Sequence, residues 1–456
     1  MDSLLLKDCF YIHCSSDREP LMGKDILIKK NRIEKIGESI SEPADREIDC
    51  SRLVVVPGFV NTHHHFYQTL TRNLPAVQNA ELFDWLKYLY EVWKYLDEEG
   101  IYYSSLLAMA ELLKTGCTTS TDHHYLYPQG IGCDIMATQF EAAEKLGMRF
   151  SPTRGSMSLS RKDGGLPPDS VVQTEDEILK DSERVIHEFH DDSECSMRKV
   201  VLAPCSPFSV TEELMKESVK LARRHGVRLH THLAETKDEN DYCLKKYKRR
   251  PLQLMEDCDF IGDDVFFAHG IFFNDEELKR LSDMNVHIAH CPSSNMRLGS
   301  GICRVTEMLP TAINVGLAVD GSASNDTSDM LGEIRNALLL QRVRYGAAAV
   351  TAKDVFKIAT ENGAKLLNFR KVGRIEEGWA ADLALFNVHK MEYAGSLSDP
   401  LAALIFSGYS HGTEYTIVNG RIAVDKGVLL GMDEEELMKQ GNAASERMIR
   451  KAGDDL

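Results

Sequence analysis

Hydrophobic and polar positions divide the chain into two textures. From about residue 59 to 370, short apolar runs alternate with amphipathic stretches of helical length. The segments GCTTSTDHH, MRFSPTRG, RKVVLAPCS, VRLHTHLAE, DVFFAHGIF, VHIAHCPSS and VGLAVDGSAS each read as a buried strand followed by a loop. Between them, SLLAMAELLKTG, the acidic stretch near 176–190, EELMKESVKLARRHG, DEELKRLSDMN and AAVTAKDVFKIATENGAKLL repeat apolar residues three and four apart, which predicts helices. Strand–helix alternation repeated about eight times predicts an α/β fold, a (β/α)8 TIM-type barrel.

The two ends have another texture. DILIKKNRIEKIGE and REIDCSRLVVVPGFV near the start, and VGRIEEGWAADLALFNV and TEYTIVNGRIAVDKGVLLG near the finish, are short strand candidates broken by Gly and charged turns. The expected organisation is therefore a small composite β-sandwich from residues 1–58 and 371–456, flanking a barrel of residues 59–370. No short-period repeat suggests a solenoid.

Composition narrows the function classes. Across 456 residues, 53 Lys and Arg face 70 Asp and Glu, a formal charge of −17. That field repels polyanions, so neither nucleic acid nor an anionic membrane is an expected partner. No apolar run approaches the roughly 18 residues of a membrane-spanning helix, and the N-terminal apolar patch is interrupted by Lys7 and Asp8, so a cytoplasmic location is expected. The 11 cysteines include no C-x-x-C, which fits buried thiols rather than a disulfide framework or a thiolate zinc site. Segment 77–105, rich in Tyr, Trp and Leu, is a candidate subunit contact in an expected homo-oligomer.

Most of the 16 histidines lie between His63 and His290, and their placement carries the chemistry. Polar, metal-capable residues fall at the C-terminal ends of the apolar runs, where barrel enzymes keep their active sites. In PGFVNTHHHFYQ, His63 and His65 are two apart; in extended backbone they point to one side and can share a cation while His64 faces away. VRLHTHLAET ends a strand with His230 and His232 and adds Glu235, a carboxylate placed either to move protons or to cap the following helix. His269 and Asp320 end two later strands. Singly each also fits a structural role; jointly these residue types converge on one mouth of a barrel.

These segments resemble the amidohydrolase superfamily, specifically its aminohydrolase branch. PGFVNTHHH, HTHLAET, AHG, HCPSSNMRLGSGI and VDGSASND occur in the right order, and the likeness runs from about residue 20 to 425. The resemblance implies His63, His65, His232 and Asp320 as ligands of one divalent ion, zinc first, with iron or manganese able to occupy the same set. It implies Glu235 as proton shuttle, His269 as the group that orients the attacking water, and Asp320 as a proton acceptor. The two-metal members bridge their ions with a carboxylated Lys on the fourth strand, where this chain has Cys205; a single ion is expected.

The implied reaction is hydrolytic deamination of a small heterocycle. NTHHHFYQTLTR, NAELFDWL, DHHYLYPQG, PTRGSMSLS and LAPCSPFSVT are most similar to deaminases of oxidised purines such as 8-oxoguanine; isoxanthopterin, guanine and hydroxylated triazines are the alternatives. Gln68 sits where guanine-type deaminases place an amide that reads a ring carbonyl and N–H, and equally fits a helix-start polar residue. Cys205 stands where guanine deaminases carry an Arg, and is also a plausible core thiol. Trp85 and Trp93 fall in the insertion after the first strand, where they stack on a flat ring or fill a helix core. His123 and His124 receive no role, and His290 is expected to support the ion site from behind. A non-enzymatic metal-binding scaffold is the remote alternative, disfavoured because such barrels lose part of the ligand set. A polynucleotide deaminase is excluded, since its H-x-E and P-C-x-x-C signature is absent.

Overall fold

The structure, a computed structural model, describes residues 2–453. Eight parallel strands follow one another around the barrel: Phe59–Asn61, Cys117–Ser120 continued by His123–His124, Arg149–Phe150 continued by Thr153–Ser156, Val201–Pro204, Arg228–Leu233, Val265–His269, His287–His290 and Asn314–Leu317. The circle closes between first and last. Thr62 N–H donates to Leu317 O at 3.0 Å, and Asp320 N–H donates to His63 O at 3.1 Å. The second and third strands are each interrupted for two residues, Thr121–Asp122 and Ser151–Pro152, the latter because proline has no N–H for the ladder. Hydrogen bonds still bridge the gaps: Thr121 N–H to Asn61 O at 3.0 Å, Ser151 N–H to Ser120 O at 2.9 Å and Thr153 N–H to Asp122 O at 2.8 Å.

The helices form where periodicity and caps agree. Glu212–His225 begins at Thr211, whose side chain accepts from Leu214 N–H, and ends at Gly226 in the left-handed region. It buries Leu214, Met215, Val219, Leu221 and Ala222 on one face, each large side chain stabilising by about 1.5–3 kcal/mol. Thr174–Glu177 and Asn274–Glu277 form reciprocal capping boxes at two other helix starts. The helical pattern over 348–367 is two helices, Ala352–Ala359 and Glu361–Leu366, broken at Thr360. The break lets the second piece turn beneath the barrel, where Ala364, Leu366 and Phe369 join Val60, Phe266, Ala289 and Ala318 in one apolar cluster.

Both ends of the chain build two further sheets. One orders Arg32–Gly37, Lys24–Lys29, Ser3–Cys9 and Arg46–Asp49; the other orders Tyr11–Ile12, Leu53–Pro57, Leu383–Asn387, Tyr415–Val418, Arg421–Asp425 and Val428–Leu429. Leu4, Leu6, Ile26, Ile28 and Ile48 of the first share a core with Val55, Leu383, Leu385 and Ile417 of the second. The C-terminal helix Glu434–Gly453 lies elsewhere, against the barrel-side helix Glu98–Lys114. Ser445 Oγ donates to Leu70 O at 2.6 Å and Arg447 pairs with Glu99 at 2.6 Å. All 11 cysteines are free thiols, and among the described residues no helix is long and apolar enough to cross a membrane.

Candidate metal centre and active site

The barrel brings His63, His65, His232 and Asp320 to one point at the C-terminal ends of its strands. His63 and His65 lie just beyond the first strand rather than within it, in the stretch leading to the turn of 3-10 helix Phe66–Thr71. His232 is in the fifth strand, and Asp320 follows the eighth. Asp320 Oδ1 is 3.4 Å from both His63 Nε2 and His65 Nε2, and His65 Nε2 is 3.1 Å from His232 Nε2.

The imidazole tautomers are fixed from behind. His65 Nδ1 faces His123 O at 2.8 Å and His232 Nδ1 faces Cys205 O at 2.7 Å, so each Nδ1 carries the proton and each Nε2 presents a lone pair. His230 Nδ1 donates to Phe266 O at 2.9 Å, leaving its Nε2 to accept from His63 Nδ1 at 2.8 Å; His63 Nε2 therefore also presents a lone pair, and it has no hydrogen-bond partner. Burial holds His63, His65 and His232 well on the neutral side, with His65 down at about 3. Burial pushes the Asp320 carboxyl up, but His269, the imidazole here whose own carboxylate neighbours raise it, opposes burial and keeps Asp320 well below the usual carboxylate range.

Neutral lone pairs of His65 and His232 facing each other across 3.1 Å, beside a buried carboxylate, repel unless a cation lies between them. Four ligands at about 2.0–2.1 Å from a tetrahedral ion stand about 3.3–3.4 Å from one another, and the three separations measured here are 3.1, 3.4 and 3.4 Å. The donor set of three imidazoles and one carboxylate thus fits a divalent ion with mixed nitrogen and oxygen preference, zinc foremost.

Glu235 and His269 stand beside this centre. His269 Nε2 lies 3.6 Å from Glu235 Oε2 and 3.8 Å from Asp320 Oδ2, while Nδ1 meets Asn295 Oδ1 at 2.9 Å. Burial pushes the Glu235 carboxyl up to about 7, and Asp320 adds to the rise while His269 opposes it. For His269 burial acts downward, yet the Glu235 and Asp320 carboxylates raise it above its ordinary value. His269 and Asp320 both have left-handed backbone, at φ 72° and 66°, a conformation that costs of order 1 kcal/mol or more in a non-glycine residue and collects at functional sites. Capping of the helix after Glu235 falls to others: Thr236 accepts from Glu239 N–H, and the Glu239 carboxylate accepts from Ala234 N–H at 2.9 Å and Glu235 N–H at 2.8 Å. Glu235's own side chain is left for the cavity.

A cavity opens above, walled by Leu82, Trp85, Tyr90, Tyr125 and Phe208 and floored by the polar cluster. Gln68, Cys205 and Trp85 all line it. Gln68 Oε1 and Trp85 Nε1 are buried with no partner within the protein. Gly321 allows the amide to lie there, since a Cβ at 321 would meet Gln68 Oε1 at 1.9 Å. Burial pushes the Cys205 thiol up to about 12, so it faces the cavity neutral. Trp93 packs instead in the wall, with its Nε1 donating to Thr71 Oγ1 at 3.1 Å.

Other histidines divide by depth. His64 turns away, its Nε2 3.0 Å from Ser328 Oγ. His123 stacks on His232 with ring centroids 4.7 Å apart. Neither nitrogen of His290 has a hydrogen-bond partner, so it does not brace the centre through such a bond. In segment 77–105, Trp85, Leu89, Tyr90 and Trp93 are buried against this chain's own cavity wall.

Residue-by-residue reading of the sequence gave His230 no role of its own and passed over Asp122, Glu239 and Asn295. Asp122 accepts from Phe66 N–H at 2.6 Å and Gln139 Nε2 at 2.5 Å, anchoring the turn after His65. A signal existed for Glu239, which closes a T-x-x-E pattern with Thr236, and for Asn295, which lies inside HCPSSNMRLGSGI.

Comparison with known proteins agrees with this geometry. Residues 54–423 match the amidohydrolase family. The chain is 46% identical to 8-oxoguanine deaminase of Pseudomonas aeruginosa over 93% of its own length and 94% of the relative's. It is 35% identical to hydroxydechloroatrazine ethylaminohydrolase of Pseudomonas sp. strain ADP over 94% and 92%. The zinc complex of atrazine chlorohydrolase from Arthrobacter aurescens TC1 superposes with a TM-score of 0.93 at 28% identity, covering 97% of this chain and 100% of that one. Barrel, strand-end donors and sequence together place the chain in the amidohydrolase family.

Proposed function

We propose that the protein is a metal-dependent hydrolytic deaminase of an oxidised purine, converting 8-oxoguanine and water to urate and ammonia. The observation that carries the reading is the pair of neutral lone pairs on His65 and His232, facing each other at the floor of a flat-walled cavity whose one free amide is Gln68. The 46% identity to a deaminase of that substrate supports it.

In this reading His63, His65, His232 and Asp320 hold the ion. When bound there, a divalent ion would supply an acidified water, its pKa brought towards about 7. Asp320, a buried carboxylate on the cavity floor, would take one proton of the water that adds to the ring carbon bearing the amine. Glu235, raised to about 7 by burial, is poised to hold a proton near neutral pH; it gives that proton to the adjacent ring nitrogen and regains one from the new hydroxyl as the carbonyl forms, while the proton held by Asp320 passes to the amine, which leaves as ammonia. His269, held by Asn295, donates to the oxygen on which charge develops. Gln68 reads ring carbonyl and N–H together, Trp85 contributes a wall and an N–H donor, and the neutral Cys205 contacts the ring edge without charge.

The test is release of ammonia and urate from 8-oxoguanine by zinc-loaded protein, run beside isoxanthopterin, guanine and a hydroxylated triazine. No turnover of 8-oxoguanine by a fully loaded sample rejects the purine assignment. A triazine is the second reading, favoured by the 35% identical triazine relative; higher kcat/KM on that ring would establish it.

A further inference from the structure

A second cluster of metal-capable side chains lies away from the cavity. Glu183 and His187 are four residues apart on helix Glu175–Phe189, hence on one face and one turn from each other. His225 is the last residue of the neighbouring helix Glu212–His225. Glu183 Oε1 stands 3.4 Å from His225 Nε2, and the rings of His187 and His225 meet edge to face with centroids 5.0 Å apart. One donor atom from each of the three lies within 4.8 Å of the other two. The 3.4 Å separation is again that of two ligands sharing one ion.

We propose that Glu183, His187 and His225 form a second divalent metal site, of the zinc type, which staples these two helices together. Two imidazoles and a carboxylate make the donor set, and this nitrogen-rich set selects a borderline transition metal over calcium or magnesium, which take oxygen. The location adds a field. His187 is two residues from the end of its helix and His225 ends the other, so the negative ends of both helix dipoles lie near the site. The cation that pairs with Glu183 is weak competition: Arg224 reaches it at 3.7 Å with its side chain 66% exposed, and such a surface pair contributes about 0–1 kcal/mol. The site sits at the opposite end of the barrel from the cavity. Between His225 and His232 the chain runs the length of the fifth strand, roughly 20 Å at about 3.3 Å per residue.

The experiment titrates zinc into holoprotein that already carries its active-centre ion, following free and bound metal. The expected result is a second equivalent bound by the unmodified chain in the micromolar range. His187→Gln and, separately, Glu183→Gln should weaken that equivalent at least about tenfold while the first is retained. Both side chains lie at the surface, and circular dichroism checks that each variant is folded. Absence of a second equivalent up to about 100 μM zinc overturns the proposal. So does a second equivalent that both variants bind as tightly as the unmodified chain, which would locate it elsewhere.

Discussion

His230 accepts the Nδ1 proton of His63 across 2.8 Å, and its own Nδ1 is committed to Phe266 O at 2.9 Å. Two rings and one carbonyl thus form a chain that leaves His63 Nε2 as a lone pair aimed at the centre. His230→Leu breaks the chain and frees His63 to rotate or to take its proton on the wrong nitrogen. Loss of such a supporting bond costs about 10–100-fold in metal affinity. The variant should therefore lose its ion to a chelator that leaves the unmodified protein loaded, and excess zinc should restore part of its activity. Equal resistance to the chelator would show that His230 only fills space.

Glu235 separates metal binding from proton transfer. Its carboxylate is 3.6 Å from His269 and is not one of the four donors proposed to hold the ion. Glu235→Gln should keep its metal content and lower kcat by about 10²–10⁴, the range general acid–base catalysis contributes. Lost metal with proportionate loss of rate would instead make Glu235 a ligand.

Much of this was legible in the sequence, and what was not has a physical reason. The eight strand–loop units are visible because each buried strand is a short apolar run ending in polar residues, as in DVFFAHG and VGLAVDG. The pair His230 and His232 shows the limit. Spacing two places both side chains on one side of the strand but says nothing of depth, and His230 stands one layer below, behind His63. The left-handed backbone at His269 and Asp320 leaves no trace in residue type. The helix Glu434–Gly453 has ordinary surface polarity, and its docking on Glu98–Lys114 depends on tertiary packing that no local pattern records.

Gln68 depends on the residue after Asp320. Gly321→Ala puts a methyl group where Gln68 Oε1 now lies, 1.9 Å from the new Cβ, so the amide must swing away. A lost neutral hydrogen bond costs about 0.5–1.5 kcal/mol, so KM should rise roughly three- to tenfold with metal content unchanged. Gln68→Ala should give the same KM, and the double variant should add nothing further. Additive effects would show that the methyl group acts on something other than the amide.

His287 links the barrel's lower end to acid stability. Its Nε2 donates to Asp263 O at 3.0 Å and its Nδ1 accepts from Asn314 Nδ2 at 2.8 Å, so both nitrogens are satisfied only in the neutral form. Burial, with Arg228 adding to it, brings the imidazole down to about 3. The unfolded chain binds its proton near pH 6.5, so stability from this group is complete above that value and is lost as pH falls towards 3. The slope is about 1.4 kcal/mol per pH unit for each such proton. His287→Gln keeps a donor and an acceptor at the site but cannot titrate. It should be less stable than the unmodified protein at pH 7, yet show a shallower fall in unfolding free energy between pH 6 and 4. Metal-loaded samples keep the active-centre histidines out of the comparison. Parallel slopes for the two proteins would mean that His287 is already protonated in the fold, or that its bonds to Asp263 and Asn314 rearrange without cost.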